Sequence, residues 1–182
     1  ARMVIAARGS SEPASKPLKD QPARRAALRI AAHLGIWNVD EMLRIAGDPD
    51  RLRPHCKTHK TEEITQLLLD RGITRHKAAT FAEAEMLADA GVEDVFLAYN
   101  MVGPNIARAV QFRRRFPHVN FAVTADHPAT IDALGAAMWE GNTSIEVLLD
   151  IDPGLHRTGI EVGLPAFELY QLIEQTVGLE PG

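Results

Sequence analysis

RLRPHCKTHKT, residues 51–61, gathers Arg51, Arg53, His55, Lys57, His59 and Lys60 into one short stretch of a chain whose formal net charge is -4. The cluster is therefore local rather than a product of composition. Of 182 residues, 46% are hydrophobic and 24% charged, the profile of a globular protein with enough apolar material for a core. A pI near 6.0 argues against a general nucleic-acid binder, which carries a basic excess. No apolar run approaches the roughly 18 residues that span a bilayer, so no membrane partner is expected. The single cysteine, Cys56, excludes an internal disulfide framework and fits a reducing cytoplasm. The opening ARMVIAARGSSEPASK has the Arg and Ser of a transit peptide but no apolar h-region, and Glu12 and Asp20 lie close by. No targeting signal is read there, and a cytoplasmic location is expected.

Outward from the cluster the chain divides unevenly. Residues 10–22, SSEPASKPLKDQP, hold three prolines and no apolar period, so they read as a linker or disordered arm. Residues 23–36 suit a short Ala/Arg helix. Residues 1–37 are accordingly set apart from 38–182 as an atypical N-terminal segment. NVDEMLRIAG (38–47) has a capping residue, early acids and a closing glycine, which predicts a helix that stops at Gly47. Strands are then expected at 52–57, 77–81, 94–99, 120–125 and 145–151. Helices are expected at 61–72, 81–91, 105–116 and 129–141, each with apolar residues near 3.6 spacing. Such alternation implies a parallel sheet with crossover helices. No GxGxxG follows a strand and no GxxxxGK[ST] occurs, which favours a barrel over a nucleotide-binding open sheet.

On a strand, Arg53, His55 and Lys57 share one face and Leu52, Pro54 and Cys56 the other. A solvated charged face is the bland reading, weakened because the charges alternate with proline and cysteine on an expected central strand. Metal binding by His55 and His59 is disfavoured, since on a strand they stand about 13 Å apart and the Glu of HExxH is absent. The third reading is a Schiff-base lysine: cations entering a packed interior must meet anions or give up protons, and a lysine so placed becomes nucleophilic toward a carbonyl.

RPHCKTHK resembles the RPHxKTHK signature of the fold type III pyridoxal-phosphate enzymes related to D-threonine aldolase and D-serine dehydratase, the group that includes the alanine racemase N-terminal domain. LLDIDPGLHRTGI (148–160) is similar to that family's D-x-G-x-x-R-T-G segment, and ATFAEAEMLADAG (79–91) and LAYNMVGPNIAR (97–108) also read like it. The resemblance covers roughly residues 38–182. It implies an α/β fold, a partial (β/α)8 TIM barrel incomplete at both ends, with pyridoxal 5'-phosphate (PLP) as cofactor. It implies Lys57 as the Schiff-base and catalytic lysine, Arg157 near the cofactor's phenolic oxygen, and His59 among the cofactor-binding residues. Lys60 is rejected because the strand period turns it away from Lys57.

The resemblance further implies a lyase that cleaves β-hydroxy-D-amino acids such as D-threonine by a retro-aldol reaction. D-serine dehydratase or racemase activity is the nearer alternative, and a non-catalytic PLP-binding protein or inactive fragment the more distant one. The partners implied are a small-molecule D-amino acid and, in a homodimer, a second copy. The family's first strand is not recognisable before NVDEMLRIAG. Later strands, phosphate loops and the metal-binding His with Cys or Asp are expected beyond Gly182, so no metal ligand is assigned here and residues 1–182 alone are expected to be inactive. Asp152 is read as opening a turn with Pro153 and Gly154. FRRRF (112–116) is read as a cationic helix C-terminus, Tyr99, at a strand end, as a core aromatic in preference to a residue lining the site, and His33, His76, His118 and His127 as surface or satisfied histidines. His156 is left ambiguous, and Glu83 and Glu85, two apart on a helix, form no acid/base pair.

Overall fold

The computed structural model describes residues 35–182. The linker reading over 10–22, the helix reading up to residue 34, and His33 lie outside them. The chain divides between Met42 and Leu43, and the unit 43–182 carries the fold. Residues 35–46 are helical (α1). The helix ends as its sequence predicts: the Gly47 N–H donates to the Leu43 carbonyl at 2.8 Å and Gly47 takes φ 77°, a left-handed cap that glycine adopts without a Cβ penalty.

The strands are β1 (Arg75–Ala78), β2 (Asp94–Asn100), β3 (Asn120–Ala125), β4 (Ile145–Leu149), β5 (Ile151–Asp152), β6 (Ile160–Glu161) and β7 (Leu179–Pro181). Between them run α2 (Glu62–Leu69), α3 (Phe81–Asp89), α4 (Pro104–Arg115), α5 (Pro128–Glu140) and α6 (Leu164–Gln175). The main sheet has the order β1-β2-β3-β4-β7 with every pairing parallel, and β5 and β6 form a separate parallel pair. Sequential order with helical crossovers is the layout of a (β/α)8 barrel, here an open arc with β1 and β7 at its edges.

One face of the sheet is dry. Ala78, Val95, Leu97, Phe121, Val123, Ile145 and Val147 are buried in a single cluster with Phe81 and Leu87 of α3, Phe112 of α4, Leu134 and Met138 of α5, and Ile173 of α6. Phe121 packs against Phe112 with centroids 4.1 Å apart. Burial of each such side chain stabilises by about 1.5–3 kcal/mol, which fastens the helices to one side. The period of two then sends Lys77, Phe96, Ala98 and Thr124 to the other face, the concave side of the arc. The arginines of FRRRF act as connectors. Arg113 donates to the Ser144 and Val119 carbonyls, Arg114 to Gly141 O at 3.1 Å, and Arg115 pairs with Asp89 at 3.2 Å.

Two expectations are corrected. Residues 52–57 are not a strand of the sheet. They touch β1 through one parallel bridge, His55 to Lys77, and a Lys77 N–H to Pro54 carbonyl bond of 2.9 Å, then coil into a 3-10 turn, Cys56–Thr58. Pro54 has no N–H for a ladder. The His55 Nδ1 accepts the Lys57 N–H at 3.3 Å, and Thr58 Oγ1 donates to the His55 carbonyl at 3.3 Å, so the turn is closed locally. The second correction lies at the far end, where α6 and β7 follow although no element is expected after residue 151. α6 carries Pro at its first turn after Gly163, an N-terminal signal present in the sequence. Among the described residues, no helix is long and apolar enough to cross a membrane.

Candidate functional site

In a parallel sheet all carboxyl ends share one edge, so residues that close the strands converge. Asn100 ends β2, Thr124 lies near the end of β3, Asp150 follows β4, and the 51–58 segment meets β1 at the parallel His55–Lys77 bridge. At this edge a cavity of about 400 Å³ is lined by Lys57, Lys77, Asn100, Thr124, Asp150 and Arg157, with His55 and Tyr99 beside them. Thr124 Oγ1 donates to Asn100 Oδ1 at 2.8 Å, linking two walls. A neighbouring cavity of about 460 Å³, lined by Phe81, Met101 and Arg108 among others, shares Tyr99 but gathers no comparable set of ionisable groups. Tyr99 is 64% exposed, so it is a wall of these openings and not a core aromatic.

Lys57 is presented by the 3-10 turn, and the turn is braced from below. Cys56 is fully buried beneath it, and its Sγ lies 3.8 Å from the Glu83 carboxylate. Glu83, only 5% exposed, also accepts the Ala79 N–H at 2.7 Å and pairs with Lys60 Nζ at 3.2 Å. Burial pushes the Glu83 carboxyl up, but the Ala79 N–H, Lys60 and the His55 ring outweigh it and hold it below its ordinary value. Burial and the adjacent carboxylate push the Cys56 thiol up to about 12, so it is not a nucleophile. His55, Cys56 and Glu83 form a group with metal-ligand atoms within 4.8 Å of one another. Glu83 is already engaged by Lys60 and Ala79, and the thiol resists ionisation, so the group fits a brace and not a metal centre.

Arg157 arrives from the opposite side of the arc, on the turn between β5 and β6. Asp152 accepts the N–H groups of Gly154 at 2.9 Å and His156 at 3.0 Å, and its Oδ2 lies 3.0 Å from His156 Nδ1. Asp152 thus opens the turn as its sequence predicts, and the His156 N–H is the main cause that holds its carboxyl below the ordinary range. Gly159 donates to Asp126 Oδ2 at 3.1 Å; its φ is 97°, and a Cβ there would stand 2.6 Å from the Asp152 backbone nitrogen. The glycine of RTG therefore lets the turn that carries Arg157 close against the backbone of residues 150–152 and the Asp126 side chain.

Lys57 and Arg157 thus meet at one cavity. His59 does not line it. Its Nδ1 accepts the Thr61 N–H at 3.3 Å, its Nε2 is buried, and burial holds its ring below its ordinary pKa. His76, fully buried, bonds the Ile73 carbonyl at 3.0 Å, and His127 caps α5 by accepting the Ala129 N–H at 3.2 Å. Lys60 is 62% exposed and turned to Glu83, not to the cavity. Lys77 and the bracing role of Glu83 escape the sequence reading. Lys77 lies two positions from Arg75 on a strand, so its face is readable by period. Glu83 stands at the fourth position of TFAE, a capping-box pattern, and the Thr80 side chain accepts its N–H at 3.2 Å.

Electrostatically the cavity is cationic. Lys57, Lys77 and Arg157 have no carboxylate partner among the described residues, and Asp150 is the one carboxylate on the lining. Burial first, then the charges of Lys57 and Lys77, hold the His55 ring below its ordinary pKa and so favour its neutral form. A primary amine among unpartnered cations suits an anionic ligand with a carbonyl.

Comparisons with known proteins bear on that ligand. D-threonine aldolase of Arthrobacter sp is 34% identical over 113 residues, and D-threo-3-hydroxyaspartate dehydratase of Delftia sp. (strain HT23) is 33% identical over 110. Each match covers 60% of this chain but only 28% of the relative. The crystal structure of D-threonine aldolase from Filomicrobium marinum superposes with a TM-score of 0.75 at 29% identity, covering 81% of this chain and 40% of that one. The model of the alanine racemase N-terminal domain matches residues 36–181, nearly all that the structure describes, and the chain belongs to that family.

Proposed function

We propose that the whole protein is a PLP-dependent lyase of D-amino acids, that Lys57 is its cofactor lysine, and that its reaction is retro-aldol cleavage of a β-hydroxy-D-amino acid. The observation that carries this reading is the unpartnered Lys57 amine opening, with Arg157 and Lys77, into one cavity that holds a single carboxylate. The donor set fits the cofactor: a primary amine for an aldehyde, and fixed cations for a phenolic oxygen and other anionic groups. Bound PLP supplies an electron sink for bonds at the substrate Cα.

The chain's own residues present and orient. The Glu83 brace fixes the turn that carries Lys57, and Arg157, held by the Asp152 turn and Gly159, offers an anionic oxygen a cation that keeps it ionised. Thr124 and Asn100 join two walls, and Asp150 supplies the acceptor on the far side. His59, outside the lining, is read as a support of the turn. Dehydration is the second reading, favoured by the dehydratase relative at nearly the same identity as the aldolase. A PLP-binding domain over residues 38–182, a divalent metal held by residues outside this chain, a homodimer and a cytoplasmic location complete the proposal.

Borohydride reduction of the protein with PLP, followed by peptide mapping, should place the pyridoxyl group on Lys57. A label on Lys60 refutes the lysine assignment, and an unlabelled protein refutes the cofactor. Arg157→Leu should alter the visible spectrum of the bound cofactor and slow turnover while Lys57 still takes the label. An unchanged spectrum and rate refute the role of Arg157.

A further inference from the structure

Three cations stand in a row on the β1 side of the arc, and two are satisfied. Arg53 pairs with Asp94 at 3.0 Å, and Arg75 reaches the same carboxylate at 3.8 Å. Lys77, next on the concave face after Arg75, has no carboxylate partner among the described residues. Its Nζ lies 5.4 Å from the centroid of the Phe96 ring, which Arg53 also approaches, at 5.8 Å. An aromatic face steadies a cation but does not neutralise it. Glu83, the nearest buried carboxylate of the brace, is committed to Lys60 and Ala79.

We propose that Lys77 takes the carboxylate of the amino-acid substrate; the proposal rests on the reading of Lys57 as the cofactor lysine. The stereochemistry of an amino acid supplies the argument. Its amino nitrogen must occupy the place of Lys57 Nζ, and its carboxylate is attached to the carbon bearing that nitrogen. The carboxylate's partner therefore has to be a neighbour of Lys57. Lys77 is that neighbour: it bridges His55, two residues before Lys57, and both amines line the same cavity. Arg157 reaches the same cavity from the β4 side of the arc, on the turn between β5 and β6. With Arg157 assigned to the cofactor's phenolic oxygen, Lys77 is the cation left for the substrate. A half-buried cation facing a carboxylate forms a charge-assisted bond away from bulk water, the strong kind.

The test uses Lys77→Met, with Lys77→Gln as a second neutral variant and Lys77→Arg as the conservative one, in the PLP-loaded protein. Binding is read from the change in the cofactor's visible band during titration with D-threonine and, separately, with D-threoninamide, which lacks the carboxylate. Loss of the charged contact should weaken D-threonine binding by about 10- to 100-fold in both neutral variants. D-threoninamide binding should stay within about twofold, Lys77→Arg should recover most of the loss, and cofactor occupancy before substrate should not change. Equal losses for acid and amide, or no loss for the acid, overturn the proposal. A fall in cofactor occupancy with the acid/amide ratio intact overturns it too, by assigning Lys77 to the cofactor. Wild-type protein that borohydride does not label at Lys57 refutes instead the reading beneath it.

Discussion

Replacing Glu83 separates charge from space beneath the candidate lysine. Its carboxylate accepts the Ala79 N–H at 2.7 Å and meets Lys60 at 3.2 Å. Glu83→Gln keeps an acceptor of the same shape but turns a charge-assisted bond of about 1.5–3 kcal/mol into a neutral one of about 1. The lost ion pair adds less than about 1 kcal/mol, because Lys60 is 62% exposed and solvent screens it. The expected cost is about 1–2 kcal/mol. Glu83→Ala also leaves the part-buried Ala79 N–H without its acceptor, a further cost of about 1–3 kcal/mol, so its total is about 2–5. Urea unfolding near neutral pH, with the m-value unchanged, measures both. The folded carboxyl sits below its ordinary value of 4.5, so its contribution is present above that pH and is lost as pH falls through the folded value. The gap between wild type and Glu83→Gln should close there. Equal costs for Gln and Ala, or both within about 0.5 kcal/mol of wild type, would refute the brace.

The remaining predictions concern pH, the RTG turn and the sheet edges. His55, His59 and His76 are each held below the ordinary 6.5, chiefly by burial, so they are neutral in the fold and gain protons on unfolding. Stability should therefore fall as pH drops below about 6.5. Fully buried His76, which faces His59 and Asp94, contributes up to about 1.4 kcal/mol per pH unit. His76→Leu should flatten that slope, and a slope unchanged by it would count against the assignment. Gly159→Ala forces a Cβ to 2.6 Å from backbone at φ 97°, which should cost more than about 1 kcal/mol and shift the cofactor spectrum as Arg157→Leu does; a neutral effect would deny the turn its role. Residues 1–182 expressed alone should associate through the open edges at β1 and β7 and show no steady turnover of D-threonine with PLP and divalent metal. A monodisperse, active sample would contradict this.

Most of the fold was legible because its helices and strands obey one rule at a time. β3 runs over the residues its apolar content indicates, and α3, α4 and α5 start and stop within two residues of their expected bounds, where Thr80, Pro104 and Pro128 mark first turns. β1 begins two residues early because Arg75 and His76 carry no apolar signal; their strand exists through pairing with Asp94 and Val95. β7 is three residues ending in proline, paired to β4, and no local pattern of that length could announce it.

The 51–61 stretch shows where periodicity fails and chemistry survives. Alternation correctly puts Cys56 in the core and Arg53 with His55 on the concave side, yet the segment is no strand, since Pro54 and the side chains of His55 and Thr58 close a turn that ladder bonds would otherwise open. The turn exposes Lys57 at the sheet's carboxyl edge, where a strand would have left it among ladder neighbours. Lys60 differs from Lys57 not by strand parity but by φ, 51°, which bends it back onto Glu83. The carboxylate that sorts the two lysines comes from a different element, twenty-odd residues on. A short motif shows which residue types gather; which amine is free is decided by the charge that long-range packing brings beneath it.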